Sequence, residues 1–446
     1  MEGKETNKLV KVIVEISRIL LGATFVFSGF VKSVDPYGTM YKIEDYLTAF
    51  GVPALMPLAL PVSFFMCALE FIMGAFMLLG IYRRWNSRLM LLVMGFMTLL
   101  TLYLAIANPV KDCGCFGDAL VISNWATFYK NIVLLICSII VFRYYECISN
   151  FFTGKTYWIA FLYIIIFISG FIVWNYWYDP LIDFRPYRIG TNIPESMKVE
   201  EGKERIEESI LVYAKDGVEK EFTQDNFPWE DSTWTYVRTG SKVIQEGEEA
   251  KIHDFTINKL SFDKTTKEIV GEDDITEAVL TDTNYVFLMI SPFLSDLDED
   301  YISNIEDVLN YANDYHYKFY CLTASSTSEI LEWEHENAVD LNFCRTDDRT
   351  LKTIIRTNPG LLLIKNGVII NKWASADIPS EEYLKEPLEK LPYSQIINQD
   401  EEDNKNIIYI SLILVLPLFV LKGMDLLLFR KREEEIDEER NKKNEN

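Results

Sequence analysis

Cys113 and Cys115 are the residues whose type and spacing suit chemistry, in the run Asp112-Cys113-Gly114-Cys115-Phe116-Gly117-Asp118. Two thiols one residue apart meet only if the residue between them bends sharply, and Gly114 tolerates the positive φ that such a bend needs. A disulfide across so short a loop is strained, hence easily reduced and fast to exchange. That suits a carrier of oxidising equivalents better than a permanent staple, because closing a tiny loop constrains the unfolded chain little. Two other readings stay open. The pair can hold a soft metal such as Cu(I) or zinc, although it would need further ligands and no histidine occurs in the first 250 residues. The third reading is a pair of inert thiols. The other five cysteines are scattered, and seven in all are too few for a disulfide scaffold. Cys321 and Cys344 fall in strand-like stretches, where free cysteines behave as small hydrophobes.

Charges inside apolar runs form a second group of candidates. Arg18 and Glu70 lie where the chain is otherwise apolar. Counting about 1.5 Å per residue puts each about 12 Å from the same end of its helix. An Arg18–Glu70 ion pair is geometrically possible, either as a packing lock or as a proton or quinone site. Lys130 and Asn131 lie close in sequence to the cysteine loop. A nearby ammonium lowers a thiol pKa, while a lysine at this depth also snorkels to the interface.

The elements that must position these residues are apolar helices. A spanning helix needs about 20 mostly apolar residues. Such runs occur near 10–30, 58–81, 87–107, 126–146 and 157–178, and again near 406–429. Lys4, Lys8 and Lys11, then Arg83, Arg84 and Arg88, then Arg143 and Lys155, then Lys422, Arg430, Lys431 and Arg432 all fall on one side if every run spans. Basic loops mark the cytoplasm. The 31–57 loop, the cysteine loop and the polar region 179–404 then face outward, and the thiol pair is expected to be exposed there. Trp174, Tyr176, Trp177 and Tyr178 sit where an aromatic belt belongs.

Polar residues dominate between 180 and 400, and the chain of 446 residues carries a formal charge of −23. Such acidity argues against nucleic acid or anionic lipid as a partner of the soluble part. Strands read at 285–290, 318–322, 341–344 and 361–364, with helical patterns separating the first three. A hairpin turns at Asn366-Gly367 into 368–370. This alternation predicts an α/β sheet covered on both faces. The whole reads as a multi-domain membrane protein. It has a four-helix membrane bundle over 1–150, a fifth transmembrane helix over 151–180, and a small β-rich segment over 181–250. An α/β domain follows over 251–395, then a linker and sixth transmembrane helix over 396–430 and a charged cytoplasmic tail over 431–446.

Two resemblances sharpen these expectations. Residues 251–395 resemble the thioredoxin superfamily, nearest its longer, peroxiredoxin-like members. The resemblance rests on the strand ending at Ile290 and on Asn358-Pro359 before Leu361-Leu362-Leu363-Ile364-Lys365-Asn366-Gly367. It implies a thioredoxin-like fold and a cis bond at Pro359. It also implies reactive cysteines just after the first core strand, yet Ser291-Pro292-Phe293-Leu294-Ser295-Asp296 contains none. The expected scaffold lacks the family's chemistry and is read as a docking module.

Residues 8–147 resemble the DoxX-like and methylamine-utilisation maturation (MauE-like) membrane families. The carrying residues are Arg18-Ile19-Leu20-Leu21-Gly22, Phe27-Ser28-Gly29-Phe30-Val31-Lys32, Leu69-Glu70, Leu78-Leu79-Gly80 and Cys113-Gly114-Cys115-Phe116-Gly117. The whole chain is similar to DoxX-family proteins of the Bacteroidetes. The resemblance implies a four-helix core in a bacterial inner membrane, with motif cysteines at Cys113 and Cys115. It implies disulfide maturation of exported proteins or electron transfer to a quinone, the partner being an exported client or an envelope redox protein. The rival expectation is a non-enzymatic, membrane-anchored scaffold.

Overall fold

The computed structural model describes residues 8–444, except 111, 154–155, 200–205, 216–217, 224–232, 246, 248–249, 253–254, 264–267, 338 and 340. Lys4 and Lys155, and the side chains of Arg430, Lys431 and Arg432, lie outside the described residues.

Each apolar run is a helix. They are α1 (Lys8–Val34), α3 (Ala59–Leu79), α4 (Arg83–Ala107), α5 (Asn124–Arg143), α6 (Tyr157–Trp177) and, at the far end of the chain, α12 (Gln399–Asn444). All but α1 are long and apolar enough to cross a membrane on composition alone. α1 carries Lys8, Lys11, Glu15, Arg18 and Lys32 and is held by packing. It lies against α3 through small residues, so the two backbones nearly touch. A Cβ at Gly29 would collide with the Phe71 backbone, and one at Gly74 would meet the Val26 amide nitrogen. Close approach through small residues is how helices associate where lipid removes any hydrophobic drive between them. The chain is a multi-pass membrane protein.

The expected loop at 31–57 is instead largely helical. Asp35 caps α2 (Pro36–Ala49) by accepting from the Gly38 amide, and Pro36 opens its first turn. Proline at the first helical position lacks only a donor that the helix would leave unused.

After α6 the chain enters a mixed domain. A short helix α7 (Ile193–Ser196) precedes β1 (Ile206–Lys215), β2 (Val218–Thr223) and β3 (Thr235–Gln245), which form a three-stranded sheet in the order β2-β1-β3. Then follow β4 (Asn258–Asp263), β5 (Glu268–Asp274), α8 (Thr276–Leu280), β6 (Tyr285–Ser291), α9 (Ile302–Asp314), β7 (Lys318–Thr323), α10 (Thr327–Asn337), β8 (Phe343–Arg345), α11 (Asp348–Ile354), β9 (Gly360–Lys365) and β10 (Val368–Trp373). These seven strands order as β10-β9-β6-β7-β8-β4-β5. β6, β7 and β8 run parallel, and β9 runs antiparallel to β6.

Alternation splits β6 between two cores. Phe287 and Met289 pack with Tyr311 of α9 and Trp333 of α10, while Leu288 and Ile290 pack with Leu351 and Ile354 of α11. A strand buried on both faces is what its continuous apolar run requires. The β4–β5 hairpin at one edge was not expected from the sequence. Cys321 and Cys344 are fully buried in the two cores. Burial pushes both thiols up, that of Cys344 to about 12.

Candidate functional site

The loop between α4 and α5 is clipped at its neck. Asn108 ends α4 in a left-handed conformation, and Asn124 donates to Asn108 Oδ1 at 3.0 Å and to the Val110 carbonyl at 2.9 Å. Gly114 takes φ +62°, and its amide donates to Asp112 Oδ1 at 2.8 Å. This bend brings Cys113 Sγ within 2.7 Å of Cys115 Sγ, while the Cys115 amide donates to Cys113 Sγ at 3.3 Å.

Helix α2 covers the loop. Tyr46 donates to the Cys113 carbonyl at 2.9 Å, and Lys42 pairs with Asp112 at 2.7 Å. The Lys42 stem lies over Gly114, where a Cβ would come within 3.1 Å of it.

The expected exposure of the pair is corrected. Cys113 is 9% and Cys115 7% exposed, packed against Leu104 of α4. The sulfurs are covered because the segment read as a loop is the helix α2, which closes over them from above. Cys113 Sγ also approaches Thr127 Oγ1 of α5 at 3.5 Å. Hydrogen bonding from Cys115 outweighs burial and, with Thr127 and the Lys130 charge, lowers the Cys113 pKa to about 6. The same partnership and burial raise Cys115 well above the ordinary thiol range.

Beneath the pair is a cavity of about 40 Å³, bordered by Ser28, Lys32, Glu70, Cys115, Lys130 and Asn131. Lys130 Nζ sits 4.2 Å from the Phe116 ring centroid. Asn131 donates to Thr101 Oγ1 at 3.2 Å, tying α5 to α4.

The Arg18–Glu70 pair that the depth count allowed does not form. Arg18 bonds Glu15, Ser149 and the Leu78 carbonyl. Glu70 instead accepts from Lys32 Nζ at 2.7 Å and from Ser28 Oγ at 2.6 Å. The depth count failed because α1 projects beyond α3. Arg18 is level with Leu78 in the last turn of α3, two turns away from Glu70.

Lys32 is the important residue that sequence reading missed. It lies four positions after Ser28, so both polar groups share one helix face.

Above the loop, a cleft of about 480 Å³ separates the bundle from the α/β domain. Lys32, Asp35, Lys42, Gly114, Asp118 and Arg356 are among its walls. Arg356 clamps Asp35 with Nε–Oδ1 at 3.0 Å and Nη2–Oδ2 at 2.5 Å. Burial raises the Asp35 carboxyl, but the guanidinium more than reverses this and holds it below the usual range. Burial leaves Asp118 above that range, against the pull of Arg356. The cysteine-free Ser291–Asp296 stretch also turns toward α2. Asn358 donates to the Phe293 carbonyl at 2.7 Å, and the Asn358–Pro359 bond is cis. Among the described residues, no cluster of three or more His, Cys, Asp or Glu side chains is placed to hold a metal.

Residues 10–144 match the family model described as Methylamine utilisation protein MauE. The MauE-like part takes in α1 to α5 and the cysteine loop. It leaves out α6, the α/β domain and α12. Residues 207–246, with β1 to β3, match a model described as Domain of unknown function (DUF8463). No curated protein and no solved structure matches the chain.

Proposed function

We propose that this is a membrane thiol–disulfide carrier, or an accessory to one, whose Cys113–Cys115 pair serves disulfide maturation of exported proteins. It would lie in a bacterial inner membrane with the α/β domain on the periplasmic side. The observation that carries the reading is the sulfur pair itself, with Cys113 Sγ brought to 2.7 Å from Cys115 Sγ by the bend at Gly114. Thiolate attack needs an ionised sulfur, and Cys113 is the one held in that state.

In the forward step a client dithiol attacks the Cys113–Cys115 disulfide through a mixed disulfide. The first client thiolate bonds to Cys113 and releases Cys115, which takes up one client proton. The second client thiolate then forms the client disulfide, Cys113 leaves as thiolate, and the other proton goes to solvent. The electron pair then passes to a quinone in the bilayer or to an envelope redox protein, which restores the disulfide. Because α2 covers the sulfurs, the first step requires Lys42 and Tyr46 to move off the loop.

The α/β domain supports this reading as a docking module with a thioredoxin-like fold. The order β7-β6-β9-β10 of its central strands supports that reading. Its lack of cysteine at 291–296 leaves exchange to the membrane part.

A second reading, an anchored scaffold without redox chemistry, draws on the Arg356–Asp35 clamp, which already occupies the face where a thioredoxin acts. Trapping separates the two. A Cys115→Ser protein expressed in its own cells should retain a client or redox protein as a reductant-sensitive adduct on Cys113. If no adduct forms, and Cys113 and Cys115 of the unaltered protein label equally before and after reduction, the scaffold reading stands and the carrier is excluded.

A further inference from the structure

Ser28 makes two short contacts with a single hydroxyl proton. Its Oγ lies 2.6 Å from Glu70 Oε2 and 2.7 Å from the Cys115 carbonyl. With Glu70 ionised, both neighbours are acceptors and the set is one proton short. With Glu70 protonated it is complete: Glu70 donates to Ser28, and Ser28 donates to the carbonyl of Cys115. A carboxyl that borders the same cavity as a redox thiol therefore has a ready-made place to hold a proton.

Lys32 extends this site outward. Its Nζ donates to Glu70 Oε1 at 2.7 Å, and the residue is 5% exposed. An ammonium has three donors, and Glu70 is the partner of one. Lys32 is also the residue shared by the walls of the 40 Å³ cavity under Cys115 and of the 480 Å³ cleft outside it. The smaller cavity is walled largely by apolar side chains such as Met94, Met97 and Leu134, with Ser28, Lys32, Glu70 and Asn131 on its polar border, and it is large enough for a water molecule. Cys115, Glu70 and the cleft are thus joined through one side chain.

We infer that Glu70 and Lys32, with Ser28 between Glu70 and the cysteine loop, move the Cys115 proton as the pair cycles, receiving it on oxidation and returning it on reduction. This rests on the redox reading of the pair. The groups facing the site are Glu70 and Cys67 from α3, Lys130 and Asn131 from α5, Ser28 and Lys32 from α1, and Tyr46 and Lys42 from α2. Glu70 is the carboxyl among those lining the inner cavity.

For a small disulfide as oxidant the step balances. The Cys113 thiolate attacks one sulfur, a Cys113 mixed disulfide forms and one thiolate leaves. Cys115 then gives its proton to the Glu70–Lys32 site, attacks Cys113 Sγ and expels the second thiolate. The Cys113–Cys115 bond forms, and the proton passes through the cleft to solvent.

The test uses the reduced full-length protein in nanodiscs, 2-hydroxyethyl disulfide as oxidant, and intact mass to follow the mixed and internal disulfides. Glu70→Gln should leave formation of the mixed disulfide unchanged and slow its resolution at least about tenfold, the low side of the usual contribution of a proton-transfer group. Formate should restore much of the resolution rate in Glu70→Ala, which a packing role would not allow. Lys32→Met/Glu70→Gln leaves no unpaired buried charge and should reproduce the slow step where a single variant inserts poorly. Resolution within twofold of the unaltered rate in a folded Glu70 variant or in this pair overturns the inference and leaves the carrier standing. Failure of the unaltered protein to form the internal disulfide overturns the carrier itself.

Discussion

Hydrogen bonding and burial act on the two thiols in opposite directions. Cys113 receives the Cys115 side chain, the Cys115 amide and Thr127 as partners, all of which favour its charged form. The same contact and burial act on Cys115 in the other direction. In the reduced protein, alkylation of Cys113 should follow a midpoint of about pH 6. Replacing its main partner, as in Cys115→Ala, should move the midpoint up toward the ordinary thiol value of about 8.5. Pulsed iodoacetamide labelling across pH, read by peptide mass, measures this. A midpoint already near 8.5 in the unaltered protein would refute the assignment of Cys113 as the thiolate. The linkage has a definite sign. A lowered thiol pKa stabilises the folded loop fully above the unfolded value, and that contribution is lost as pH falls through about 6. The pair and its glycine were legible in the sequence because a tight bend between thiols is a local property. Their burial was not, since it depends on a helix that starts over seventy residues earlier.

At the scale of elements, that helix is the hinge of the arrangement. α2 covers the cysteine loop on one side and receives the α/β domain on the other, through Asp35 at its cap and Arg356 just after α11. The Arg356 side chain is 8% and Asp35 18% exposed. Removing one partner leaves a mostly desolvated charge, at a cost of about 3 kcal/mol, the low end for a broken buried pair. Arg356→Gln should therefore loosen the domain, with faster amide exchange in α2 and in residues 355–359. Arg356→Lys should not restore protection, since an ammonium cannot reproduce the two-pronged contact. Unchanged exchange in both variants would show that other contacts hold the domain. Long apolar runs made the spanning helices readable, and continuous strands such as 285–290 made the sheet readable. α2 escaped notice because its residues are mixed in character, with its helix signal in the Asp35-Pro36 cap rather than in periodicity. The β4–β5 edge escaped because Asn258–Asp274 is mostly polar. The Glu70 partner escaped because depth counted along one helix does not give its offset against another.

Across the whole molecule, charge is sorted along the bundle axis. Arg18 meets Ser149 and Leu78, Arg83 meets Ile148, and Lys422 meets Phe151. These basic residues gather at the end that holds the start of α1, and the acidic α/β domain sits at the other. Positive charge flanking spans stays in the cytoplasm, so the cysteine end should face outward, where thiol pairs meet oxidants. Trp85→Cys and Glu382→Cys, both at exposed positions, report the two ends. In intact spheroplasts a membrane-impermeant maleimide should label Glu382→Cys at once and Trp85→Cys only after lysis. The reverse pattern would place Cys113 and Cys115 in a reducing compartment. There the thiols would rest reduced, and the chain could not pass oxidising equivalents to exported clients however well its sulfurs are placed.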